Sequence, residues 1–251
     1  MSFAALVNPA GGIRYHLRAR RYAERLWQPF RWALGEWLLG WQPPERTLLL
    51  FGPSGGYNLQ PFLFERFDQL VCFEPDPLAF ALFARRLRRA PLERRPKLER
   101  IAEDHLVAHP ERLAPRLESA GPAALLFSNL IGQLPMLTAD AELGDADFAR
   151  TREAVVAALQ GRSHASFHDR ASGEVRLGFA QPLIASSRLS DREVLDSIYN
   201  APDEPTLESL GLVDHDTSGF FDQNQEHAYF HWELEPGWFH LIEGVQSVKP
   251  G

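Results

Sequence analysis

The stretch "LLLFGPSGGYNL", residues 48–59, decides how this chain reads. Residues 46–52 are apolar up to Gly52, the pattern of a strand buried on both faces, as in a parallel sheet. The turn that follows carries Gly52, Ser54, Gly55 and Gly56, all small. A βα turn without bulk lets backbone approach a ligand, and the start of the next helix offers free N–H groups.

The pattern repeats outward from there. "QLVCFE" (69–74) is a second buried strand, and "DPLAFALFARRLRRA" is a helix with Asp76 at its N-cap and Pro77 at its first position. "NLQPFLFERF" (58–67) reads as a helix with Pro61 in its first turn, 99–104 as a third strand and 123–129 as a fourth. The segment "HPERLAPRLESA" reads as a helix interrupted at Pro115, 145–161 as a capped helix, and 164–169 as a fifth strand. Five strand–helix alternations predict an α/β fold with a doubly wound, mostly parallel sheet. "EHAYFHWELEPGWFHLIEG" (226–244) then predicts an antiparallel hairpin turning at Glu235-Pro236-Gly237, with Ala228, Phe230, Trp232 and Leu234 on one face.

The expected organisation is an N-terminal helical cap over 1–45, divided at Pro29, and an α/β domain over 46–251 with an insert at about 170–226. The chain of 251 residues carries a net charge of −7, unevenly spread: 18 basic against 13 acidic residues in 1–120, and 8 against 20 in 121–251. An acidic chain argues against general nucleic-acid binding. Ten acids fall in 189–227, a tract that could meet a protein partner. The lone cysteine, Cys72, excludes an intrachain disulfide and reads as core filler. The N-terminus shows no leader pattern and no apolar run is long enough to span a bilayer, so a cytoplasmic protein is expected.

Glu74 ends the second strand, where an acid can accept hydrogen bonds from both ribose hydroxyls of a nucleoside. With the small-residue turn it points to an adenosine-containing ligand at the carboxyl ends of the strands. His168 and Asp169, ending the predicted fifth strand, are the candidate bases. Asn129 and Gln133 are candidates to orient a substrate. His227, His231 and His240 do not predict a metal site: the first two lie about 13 Å apart along one strand.

Four segments together, "LLLFGPSGGYNL", "VCFEPDPLAFALFARRL", "IAEDHL" and "ALLFSNLIGQLP", resemble the class I S-adenosylmethionine-dependent methyltransferases. The terminal hairpin strengthens the likeness, because that family inserts an antiparallel strand beside the fifth. The resemblance implies S-adenosylmethionine as cofactor and transfer of its methyl group to a small-molecule or protein acceptor. It implies that Gly52, Ser54 and Gly56 line the cofactor, Glu74 binds its ribose, Asp104 faces its adenine, and Asn129 sits beside the methyl donor. Three departures stand out. Leu50 occupies the place where the family often has an acid, Ser54 replaces a glycine, and "SNLIGQLP" is not the motif of enzymes that methylate base amino groups. The alternative expectation is a non-catalytic methyltransferase-like module that binds a partner protein. A nicotinamide enzyme fits the turn but not the hairpin.

Overall fold

A computed structural model describes residues 12–249 of the chain, so the N-terminal stretch 1–11 lies outside the described residues. Two helices come first, α1 (Gly12–Tyr22) and α2 (Gln28–Gly40). Pro29 sits in the first turn of α2, where its missing N–H costs nothing, so it opens a new helix rather than bending one.

The alternating part follows as β1 (Thr47–Phe51), β2 (Gln69–Phe73), α3 (Pro77–Arg89), β3 (Lys97–Ile101), α4 (Leu113–Ala120), β4 (Ala124–Ser128), α5 (Leu134–Asp140), α6 (Asp145–Leu159) and β5 (His164–Gly173). The insert contributes β6 (Leu183–Ala185), α7 (Asp191–Ser197) and β7 (Val213–Asp214). The hairpin strands β8 (His227–Glu235) and β9 (Trp238–Ser247) close the chain. The strands form one sheet in the order β3-β2-β1-β4-β5-β9-β8-β6, with β7 paired to the end of β5. The first five run parallel. The last hairpin strand, β9, is inserted antiparallel between β5 and β8.

Both faces of the sheet are covered, which is why β1 and β4 are apolar at successive positions. On one face Leu48, Leu50, Leu126 and Phe167 pack with α1, α2, Ala228, Phe230 and Trp232. Trp232 stacks on Phe30 at 5.0 Å and meets Trp27 edge-on at 5.2 Å, fixing the N-terminal helices to the hairpin. The Trp27 indole N–H donates to the Leu234 carbonyl at 2.9 Å, so this buried aromatic leaves no unsatisfied donor. On the other face Leu49, Phe51, Leu125 and Phe127 pack with α4, α6 and Phe220.

The structure corrects four boundaries. Of residues 58–67 only Pro61–Arg66 is helical, and it is a 3-10 helix. Pro115 does not interrupt a helix, because α4 starts at Leu113 and first-turn N–H groups have no intrahelical acceptor. The third strand is Lys97–Ile101 rather than 99–104. The fifth runs on to Gly173, because β9 pairs with it along its length. That last difference moves two predicted site residues.

Candidate functional site

A cavity of about 400 Å³ opens over the carboxyl ends of β1, β2 and β4. This is where an open α/β sheet places ligands, and the volume is of the size that holds a small molecule. Phe51 and Phe73 line the cavity. Phe51 stacks between Phe73 at 4.3 Å and the core residue Phe127 at 4.7 Å, three rings in register across β2, β1 and β4.

The first turn builds the wall. Gly52 has φ +63° and Gly56 φ +68°, and between them Ser54 takes φ +48°, a conformation L side chains rarely adopt. What holds Ser54 there is Glu74. One carboxylate oxygen of Glu74 accepts the Ser54 N–H at 2.9 Å, and the other accepts the Asp76 N–H at 3.1 Å. The turn after β1 and the turn after β2 are thus pinned to one acid. Gly52 and Ser54 line the cavity, whereas Gly55 and Gly56 are not among its lining residues. Gly56 serves close packing instead: a Cβ there would lie 2.5 Å from the Phe83 ring.

Glu74 is 7 % exposed. Burial pushes its carboxyl up to about 7, against the pull of its two backbone donors. Asp104 also lines the cavity, with one carboxylate oxygen accepting the N–H groups of Leu106 and Val107, both at 2.9 Å. Four acids, Glu74, Asp76, Glu103 and Asp104, line the cavity, and no Lys or Arg does.

At the far end stands Asn129, one residue beyond β4, with φ +51°. Its amide N–H₂ donates to Asp169 at 3.3 Å, and its carbonyl oxygen is buried without a partner. Asp169 lies behind this wall, 4 % exposed, accepting also from His240 at 2.8 Å. Burial pushes the Asp169 carboxyl up, but the His240 imidazole, His215 and the Asn129 amide outweigh it and leave it below the usual carboxylate range.

His168 is elsewhere. Because β5 continues past it, His168 is a mid-strand residue, fully buried, on the opposite face from Asp169. Its ring lies 3.0 Å from the Ser166 hydroxyl, 3.7 Å from Glu243, and stacked on Phe221 at 5.4 Å. It does not line the cavity and has no route to a ligand there. Leu50 likewise faces the apolar core, fully buried beside Leu126 and Phe83, not the cavity.

Gln133 lines the cavity from the 3-10 helix Ile131–Gln133. That helix is pressed against β5: a Cβ on Gly132 would lie 2.3 Å from the Asp169 carbonyl oxygen. Gly132→Ala therefore forces backbone to move at the Asn129–Asp169 junction. We expect a loss of about 1–3 kcal/mol, read as a lower urea midpoint.

Among the lining residues that sequence reasoning missed are two polar ones, Tyr15 and Asn58. Tyr15 reaches the cavity from α1, and Asn58 from beyond the glycine turn, its amide N–H₂ within 3.5 Å of the Tyr15 hydroxyl. No residue of the insert lines the cavity. The insert's acids serve the fold in part: Asp191 and Asp214 both pair with the buried Arg170. Among the described residues no cluster of three or more His, Cys, Asp or Glu is arranged for a metal ion, and no helix is long and apolar enough to cross a membrane.

An antiparallel strand inserted beside the fifth, next to a small-residue turn and an acid-tipped second strand, decides the architecture. The fold is the methyltransferase-like Rossmann fold. No known family's profile matches the chain, and no curated protein is similar to it. Among solved structures it is similar to the N-methyltransferase NodS from Bradyrhizobium japonicum WM9, in complex with S-adenosyl-L-homocysteine. The identity is 12 %, covering 97 % of this chain and 94 % of NodS, with a TM-score of 0.43. The glycopeptide N-methyltransferase MtfA complexed with S-adenosylmethionine is 14 % identical over 84 % of this chain and 92 % of its own, at a TM-score of 0.36. An rRNA methylase from Streptococcus thermophilus is 12 % identical over 62 % and 85 %, at 0.34. Nothing about chemistry transfers at this level of similarity.

Proposed function

We propose that the protein is an S-adenosylmethionine-dependent methyltransferase, with the helix Gly12–Tyr22 capping the cofactor site through Tyr15. The observation that carries this is Glu74, buried at the tip of β2, tied to the Ser54 turn and facing a cavity rich in acids and free of Lys and Arg. A dinucleotide or nucleoside phosphate would place its negative charges among four carboxylates with no cation to meet them. A nucleoside that carries positive charge fits the same wall.

The residues present suit such a ligand. Glu74 takes the ribose hydroxyls, and Phe73, Leu106, Val107 and Leu134 offer apolar surface to a base, with Asp104 at its edge. Gly52 and Ser54 let backbone approach the chain of the ligand. When bound, S-adenosylmethionine would supply a methyl group activated by its sulfonium, the neutral thioether of S-adenosylhomocysteine being the leaving group. The protein's share is orientation and exclusion of water. Asn129 and Gln133 line the far end of the cavity, where they orient the acceptor. Asp169, ionised and reached only through Asn129, sets that amide rather than taking a proton directly.

A thermal-shift panel tests the reading. S-adenosylhomocysteine and adenosine are expected to raise the melting temperature, while NAD⁺ and ATP leave it unchanged. Stabilisation by the phosphates and not by the adenosyl ligands would overturn it.

A further inference from the structure

Helices α1 (GIRYHLRARRY) and α3 (PLAFALFARRLRR) carry four arginines each and no acid. Residues 1–11 add no charged side chain. The chain as a whole carries −7, so these two helices run against the charge of the rest. Two of the eight arginines are used inside the fold: Arg18 pairs with Glu235, and the Arg86 guanidinium lies over the Tyr57 ring at 5.2 Å. The other six, Arg14, Arg20, Arg21, Arg85, Arg88 and Arg89, are exposed and form no ion pair among the described residues. By contrast Arg112, Arg116, Arg150 and Arg192 each hold a carboxylate.

The two helices form one surface. Both pack on the same face of the sheet, α1 through Ala19 and α3 through Phe83 and Leu87. Tyr57 joins them: its hydroxyl lies 3.2 Å from Nδ1 of His16 on α1, and its ring lies under Arg86 of α3. Along α1 an outward row runs Ile13, Leu17, Arg20, and along α3 another runs Leu78, Arg85, Arg89, both at helical spacing. Ile13 and Leu78 are each 44 % exposed, and Leu17 is 61 % exposed. Each row begins on exposed aliphatic side chains and ends on arginine. Both begin beside the cavity, because Gly12 and Ala79, the sequence neighbours of Ile13 and Leu78, line it.

We infer that this surface docks on an anionic lipid bilayer. Unpaired arginines call for an anionic partner, and the aliphatic side chains decide which one. A nucleic acid would meet the arginines with phosphate, but it engages its other contacts through polar groups and stacked aromatic rings, and the two rows carry no ring. A bilayer interface suits both kinds of residue. Its head groups meet the guanidinium groups, and the acyl boundary takes Ile13, Leu17 and Leu78. The negative charge elsewhere on the chain does not prevent this, because at physiological ionic strength exposed charges are largely screened beyond about 8 Å. Each arginine near an anionic surface strengthens binding by roughly fivefold. A docked molecule holds the Gly12 and Ala79 edge of its cavity against the lipid.

The test is co-sedimentation of the full chain with vesicles of phosphatidylcholine alone and of phosphatidylcholine and phosphatidylglycerol in equal parts. A single-stranded RNA oligomer and polyglutamate serve as soluble competitors. Three variants are compared with wild type. The face variant combines Arg20→Gln, Arg85→Gln, Arg88→Gln and Arg89→Gln. A control combines Arg112→Gln, Arg116→Gln, Arg150→Gln and Arg192→Gln, which lowers the net charge equally but away from α1 and α3. The third combines Leu17→Ser and Leu78→Ser. Thermal melting by circular dichroism verifies that each variant folds.

Wild type is expected to sediment with the phosphatidylglycerol vesicles and not with phosphatidylcholine alone. The face variant is expected to lose at least about a hundredfold in apparent affinity, the control less than about threefold, and the serine pair about tenfold. No sedimentation of wild type overturns the docking surface. Equal losses in the face and control variants overturn it as well, since net charge alone would then govern binding. RNA or polyglutamate that expels wild type from the vesicles, with the serine pair binding like wild type, assigns the surface to a soluble polyanion and overturns the lipid. No adenosyl ligand enters the test, so its outcome is independent of the proposed function.

Discussion

Glu74→Ala is expected to weaken S-adenosylhomocysteine binding by about a hundredfold or more at pH 8. Hydrogen bonds to a charged group contribute about 1.5–3 kcal/mol each, and a vicinal diol makes two. The substitution also frees the Ser54 N–H and the Asp76 N–H, which Glu74 now holds at 2.9 and 3.1 Å. Ser54 sits at φ +48° only because its surroundings demand it, so the first turn should relax once that acceptor is gone. Glu74→Gln keeps one acceptor oxygen for these backbone donors and should preserve the fold while still losing much of the affinity. Calorimetry gives the affinities, and urea unfolding of the two variants separates the ligand effect from the turn effect.

The second large effect is a dependence on pH. Burial raises the Glu74 carboxyl from its ordinary 4.5 to about 7. A carboxyl raised on folding binds its proton more tightly in the native state than in the unfolded chain. Between about pH 4.5 and 7 the native state therefore holds more protons, and stability falls as pH rises through that window. The contribution from Glu74 is about 3 kcal/mol, complete below the unfolded value and gone above the folded one. Denaturant unfolding at pH 5 and pH 7.5 should show it, and Glu74→Gln should flatten the profile. Ligand binding runs the other way. A diol that binds the ionised carboxylate must displace the proton, so affinity should drop about tenfold for each pH unit below 7. Titrations at pH 6.5 in two buffers of different ionisation enthalpy should then report release of a proton. Equal observed heats in the two buffers, before any correction for buffer ionisation, would contradict the linkage.

Much of this architecture was legible in the chain because parallel strands buried on both faces leave an unmistakable trace. Thr47–Phe51 and Ala124–Ser128 are almost wholly apolar. Asp76 and Pro77 marked the start of a helix by their local chemistry, and the Asp76 carboxylate does accept the Leu78 N–H at 2.8 Å. The hairpin declared itself through the alternation of Ala228, Phe230 and Trp232, all buried.

The fifth strand was harder. "HASFHDRASG" is polar at six of its ten positions, yet every residue beyond His164 is buried. Its charged groups meet partners distant in sequence: Glu243 lies beside His168, and Asp191 and Asp214 pair with Arg170. Periodicity sees residue types but not such pairings, so the strand was cut short and His168 was placed at a tip it does not occupy. The same blindness hid His240. On sequence it was only a third histidine near two others, whereas its partner Asp169 is 71 residues away. Asn58 and Tyr15 could be found only once α1 was folded over the first turn. Gly132 did carry a signal, an isolated glycine just past a strand tip, which is where close approach of two backbones is common.

The central claim is that the acid-lined cavity above Gly52 binds an adenosyl ligand through Glu74. A crystal structure of the protein grown with S-adenosylhomocysteine tests it most directly. The account predicts ligand density over the Phe51 and Phe73 rings, with both ribose hydroxyls in hydrogen-bond reach of the Glu74 carboxylate. Density at another site, or a ribose turned away from Glu74, would contradict it.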